Sequence, residues 1–113
     1  MSLSVREMVR AIQVEMRGDD FQPARAREML VELTALYGNC LTEARDAQGA
    51  FNVVLLSHLD SGEPANRARI RAATSPEYSR LREADDTTKF VLESIRSLKK
   101  SLDSIETEMR MTR

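Results

Sequence analysis

Five arginines crowd one stretch of this chain. Arg67, Arg69, Arg71, Arg80 and Arg82 follow Pro64 closely, and Glu77 is the one acid among them. A guanidinium is a planar fork of donors that suits phosphate and carboxylate. Arg67 and Arg71 are one helical turn apart and share a face. Ser75, just before Pro76, is a capping residue at a helix start, where free N–H groups attract anions. The implied chemistry is contact with an anion, a nucleotide or a nucleic acid. Tyr78 is the one aromatic nearby, which makes a poor platform for stacking single-stranded bases. A solvated face or a protein contact would use the same residue types.

The other reactive side chains do not combine. His58 is the sole histidine, near Asp60 and Glu63. A metal site needs three or four ligands, and no paired-histidine pattern supplies them. His58 therefore reads as solvated or capping. Cys40 is the sole cysteine. A nucleophilic thiol needs a base, and His58 lies roughly 27 Å further along the same helix. Cys40 reads as a small buried hydrophobe. Asp85-Asp86-Thr87-Thr88 puts polar groups into an apolar seam. A hard cation would need ligands from further elements. Polarity that sets helix register is the simpler role, with Arg45 as a partner for Asp85. With no nucleophile–base pair, metal set or glycine-rich phosphate loop, the chain reads as no enzyme and as needing no cofactor.

The elements that carry these residues are helices. Ser4 and Glu7 form a capping box. The helix after it runs from about Val5 to Arg17, with Val5, Met8, Val9, Ile12 and Met16 on one side. Gly18 is expected to stop it in a left-handed conformation, and Gly18-Asp19-Asp20 reads as a turn. Pro23 suits a first helical turn. A second helix is expected from about 24 to 59. Its seam is Leu30, Leu33, Tyr37, Cys40, Ala44, Ala47, Phe51, Val54 and His58. Gly38 and Gly49 lie inside it, each costing ~1 kcal/mol against Ala. Close approach of a neighbouring helix at Gly49 would offset that cost; a break at Gly38-Asn39 is the alternative.

Residues 60–64 are the hairpin tip. A kinked helix follows over about 65–111, with the kink at Thr74-Ser75-Pro76. Its stripe of Leu81, Ala84, Thr88, Val91, Ile95, Leu98, Leu102, Ile105 and Met109 alternates in steps of three and four, as in lengthwise helix pairing. Similar lengths joined by a short turn make an antiparallel hairpin. In that register Leu30 lies near Ile95 and helix two begins opposite Leu102. The first helix would then cover Ile105 and Met109. Leu36, Leu41, Leu55, Phe90 and Leu92 are left over, and a homo-oligomer would bury them.

The composition agrees. The chain has 113 residues, enough for one domain over 1–113. Aromatics are 4% with no Trp, so the core must be aliphatic. The net charge of −1 excludes a strongly basic chain that coats nucleic acid, though it leaves room for a local patch. One cysteine leaves no intrachain disulfide and fits a reducing compartment. No apolar run reaches ~18 residues. Arg6, Glu7 and Arg10 interrupt any signal-like stretch. A cytoplasmic protein without a membrane partner is expected.

The segment from Ser75-Pro76-Glu77-Tyr78 to Arg110, centred on the run Lys89-Phe-Val-Leu-Glu-Ser-Ile-Arg-Ser-Leu-Lys-Lys-Ser-Leu-Asp-Ser-Ile105, resembles small helical-hairpin proteins of tailed bacteriophages and prophages. The likeness extends over about two-thirds of the chain, from Ala44 to Arg110. It implies a hairpin fold, viral origin, residence in the host cytoplasm and a setting near replication or recombination genes. It carries over no catalytic residue.

These readings converge on an all-α fold: a short N-terminal helix plus a long antiparallel, coiled-coil-like hairpin that oligomerises. The seam residues Leu30, Leu33, Tyr37, Phe51, Val54, Leu81, Val91, Ile95, Leu98, Leu102 and Ile105 are the candidates for packing or an oligomer interface. The leading function is a non-enzymatic phage accessory protein acting on a host or phage protein, or on nucleic acid. Two alternatives are an oligomer that sequesters anionic nucleotides at its tip arginines and a component of virion structure or assembly.

Overall fold

The computed structural model describes residues 4–18 and 22–111. Among these residues there is no strand. Four helices follow in order: α1 over Val5–Met16, α2 over Pro23–Asp60, α3 over Ala65–Ala73 and α4 over Pro76–Met111. The fold is all-α, with long helices packed on one another.

The local chemistry of the helix ends explains these boundaries. Ser4 caps α1, its hydroxyl accepting from the Glu7 N–H at 3.2 Å. The helix ends one residue earlier than its pattern suggests, with Arg17 as C-cap in right-handed geometry. Gly18 does not take the left-handed conformation expected of it: Gly62 is the described glycine with positive φ. The chain instead closes with the Gly18 N–H donating to the Glu15 carbonyl. The rest of the expected turn, residues 19 and 20, lies outside the described residues.

α2 runs unbroken through Gly38-Asn39. At Gly62, φ is +89°, a conformation natural to glycine, and the chain turns there toward α3. The expected kinked helix is two helices, because Thr74 and Ser75 leave the helical path before Pro76. Ser75 serves both ends. Its hydroxyl donates to the Ala72 carbonyl at 2.6 Å and accepts from the Tyr78 N–H at 3.3 Å.

Two compact units divide the chain. The first holds the residues up to Gly38 and those from Lys89 onward; the second is Asn39–Thr88. The core residues of the first are Val9 and Ile12 on α1, Ala26, Met29 and Leu33 on α2, and Val91, Ile95, Leu98 and Leu102 on α4. Ser94 is buried among them and fully engaged: it donates to the Phe90 carbonyl and accepts from Gln13. α1 thus reaches α4 at Ser94. Arg25 binds Glu15, Glu28 and Glu32, tying the ends of α1 and α2 together. Arg27 meets Glu106 at 2.9 Å. Arg27, already in the second turn of α2, thus meets a residue one turn beyond Leu102, so α2 begins further along α4 than the expected register, which put its start opposite Leu102.

The second unit packs on small side chains. Ala47, Leu81 and Ala84 form a cluster against Ala44 and Phe51. Ala68 and Ala72 bury α3's inner side completely. The Phe51 and Tyr78 rings lie 5.6 Å apart in a tilted pair. Thr88 donates to the Ala84 and Cys40 carbonyls, so its hydroxyl is satisfied within the seam.

Several expectations fail in detail. A Cβ at Gly49 or Gly38 would meet nothing within 4 Å, so no helix approaches closely there. Alanines, and not these glycines, line the close contacts. Leu36, Leu55, Phe90 and Leu92 are half-buried inside the chain, and of the five leftover residues only Leu41 is exposed. Met109 is exposed although it continues the stripe of α4, and Ile105 is half-buried. Leu30, Tyr37, Phe51 and Val54 are also half-buried, and Leu33 is fully buried. Asp85 and Arg45 are exposed and form no ion pair with each other.

Candidate functional site

The five candidate arginines sit in the second unit, on α3 and the first turns of α4. They do not form one patch. At roughly 100° per residue, Arg69 falls about 160° around α3 from Arg67. Arg67 and Arg71 share one flank of the buried alanine stripe and Arg69 takes the other. Spacing of two residues separates side chains on a helix, whatever their density in the sequence.

Three of the five already have intrachain partners. Arg71 binds the Glu63 carboxylate at 3.0 Å. Arg80 reaches across to Glu43 on α2 at 2.7 Å. This pairing holds the Glu43 carboxyl below the ordinary carboxylate range, chiefly through its hydrogen bond with Arg80. Arg82 lies 5.9 Å over the Tyr78 ring and donates to its hydroxyl at 3.4 Å. Arg67 and Arg69 are exposed and have no partner among the described residues. Arg67 and Arg71 face solvent beside fully buried Ala68 and Ala72.

The chain matches no protein-family model, no curated protein and no solved structure.

At the turn after α2, the Nδ1 of His58 faces the Glu63 Oε2 at 3.9 Å, beyond hydrogen-bond length. That oxygen is buried and accepts no hydrogen bond, while its partner oxygen holds Arg71. The cluster pins the turn to α3. Among the described residues, no three His, Cys, Asp or Glu side chains converge as metal ligands. Cys40 is buried, and burial pushes its thiol above the ordinary range, opposite to the change that makes a nucleophile. Asp85 and Asp86 are both exposed.

The last helix also carries a second basic region, which the sequence offers as the alternative place for an anion site. Arg96, Lys99 and Lys100 lie on α4 in the first unit, beside Asp103, Ser104, Thr107 and Glu108, and together they line a shallow surface concavity of about 620 Å³. No helix of the described residues is long and apolar enough to cross a membrane.

Proposed function

We propose that this is a non-enzymatic phage accessory protein that works by binding. Its partner is a host or phage macromolecule of DNA replication or recombination. The observation that carries this reading is the division of labour around α2. One side packs into the fold, while the other presents apolar side chains to solvent. Val53 and Leu56, one turn apart on that outer side, are 68% and 56% exposed. Val31 on α2 and Ile70 on α3 are also largely exposed. Single exposed apolar residues are ordinary, but adjacent ones on a face with no intrachain role suit a protein contact. Support for the tip as a nucleotide pocket is weaker, since Arg71, Arg80 and Arg82 already have partners.

The test is capture from the natural host. Tagged full-length protein and the double variant Val53→Glu/Leu56→Glu are crosslinked in cells, and bound proteins are quantified by mass spectrometry. The expected result is a defined partner, or a second copy of the chain, held by the wild type and lost from the variant at unchanged helix content. Identical capture by both proteins, or none by either, would overturn the reading.

A further inference from the structure

We infer that the outer face of α2 in the second unit pairs antiparallel with the same face of a second copy of the chain. This rests on the binding role proposed above and names an occupant for its outer face. From Ala47 to Leu59 the chain carries no Asp, Glu, Lys or Arg, although such residues make up 31% of the whole. A helix with one side in solvent normally carries charges there, and one that is apolar all round is covered all round. Here the fold covers one side alone. Ala47 is fully buried, and Phe51, Val54, Leu55 and His58 are half-buried. On the opposite side Gly49, Asn52, Val53, Leu56 and Leu59 are exposed. These five fall within about 120° of one another around α2.

The two ends of the face select its occupant. Arg45 and Asp60 bound it, about 22 Å apart along the axis and about 60° apart around it. Both are exposed, and neither has an ion partner among the described residues. Asp46 also lies nearby, but it points about 100° away from Arg45 and acts on Arg80. Opposite charges at opposite ends make the face complementary to itself turned end for end. In that symmetric pairing Arg45 of each copy meets Asp60 of the other. A parallel pairing would instead oppose like charges at both ends. The interior fits the same register. With Arg45 opposite Asp60, Gly49 falls opposite Leu56 and Asn52 opposite Val53. A Cβ at Gly49 would meet nothing within 4 Å in its own chain, so the space above it is open to a leucine of the facing helix. Gln48 donates to Asn52 at 3.0 Å, so the amide at the centre already has a partner when it is covered. A polyanion would find no row of cations here, and a bilayer-binding helix would carry basic flanks where this one ends in Asp60. One helix pair of this length covers less than the ~800 Å² per partner of a stable complex. The dimer therefore dissociates on dilution and leaves the face open to a further partner.

The test is sedimentation equilibrium of the full-length protein over a range of concentrations. The wild type should be a monomer below about 1 µM and a dimer above about 100 µM. Val53→Glu/Leu56→Glu should abolish the dimer with helix content unchanged. Arg45→Glu and Asp60→Arg, each alone, place like charges at both ends and should weaken the dimer about tenfold. An equimolar mixture of these two variants should dimerise as tightly as the wild type, because opposite charges then meet at both ends again. The inference fails if the wild type stays monomeric throughout, if the glutamate pair at 53 and 56 leaves the dimer intact, or if both single charge variants dimerise like the wild type. A monomeric chain that still captures a host protein through Val53 and Leu56 would overturn this inference alone and leave the binding role standing.

Discussion

Replacing Gly49 by alanine should stabilise the protein. Glycine inside a helix costs ~0.8–1.0 kcal/mol against alanine, because the unfolded chain has more freedom to lose. That cost is normally tolerated where a neighbour needs the space. At Gly49 the added methyl meets no atom within 4 Å, and the residue is exposed on the outer side of α2. The full propensity gain of about 1 kcal/mol is therefore expected. With a urea m-value near 1.5 kcal/mol/M, the midpoint should rise by about 0.7 M. Gly38, equally open, should respond in the same way, and the two substitutions should add. The assay is urea denaturation followed by circular dichroism at low protein concentration. A destabilisation at Gly49 would refute the reasoning, because it would mean that something packs against this face in the purified protein.

Other consequences follow from the core and the ion pairs. Leu98 is fully buried, so Leu98→Ala should cost about 2–5 kcal/mol in denaturation, whereas Val31→Ala on the exposed side should cost under about 0.5. A loss below about 0.5 kcal/mol at Leu98 would place it on the surface. Glu15 and Glu43 are held below the ordinary carboxylate range, first by their hydrogen bonds to Arg25 and Arg80. Their stabilisation is present above the unfolded value of about 4.3 and is lost as pH falls through the lower folded values. Glu15→Gln/Glu43→Gln should thus lower the thermal midpoint at pH 6, with the gap to wild type closing at strongly acidic pH. An equal gap at both ends would contradict that linkage. Native Cys40 should react with a thiol reagent only as fast as the protein opens, since it is buried and its thiol is raised by burial. Immediate labelling at neutral pH would count against its place in the core.

The helix ends were legible because they are local. Ser4, Gly62, Ser75 and Pro76 act within a turn of themselves, and the structure uses all four at helix ends or turns. Leu33, Leu81, Val91, Ile95, Leu98 and Leu102 were legible because apolar spacing names one face. Ala26 and Met29, both fully buried, escaped the seam because an alanine carries little signal and Met29 lies before the first regular leucine. Register was not legible. An apolar stripe slides by one turn and looks the same, and Arg27 with Glu106 decides the alignment only once both helices are in place. The glycines misled for a related reason, since sequence does not say whether a small residue lies against a neighbour or in solvent. The arginine cluster was visible as density, but its division around α3 and the capture of Arg71 by Glu63 are three-dimensional facts.

The central claim is that the helices pack by one side and act by the other. Hydroxyl-radical footprinting of the full-length protein tests it most directly, with side-chain modification compared between the purified protein and the protein in extract of its natural host. Val53, Leu56 and Ile70 should be modified in the purified protein and protected in the extract, while Met29 and Leu98 should be protected in both. Equal modification of Val53, Leu56 and Ile70 in the two conditions would contradict the account.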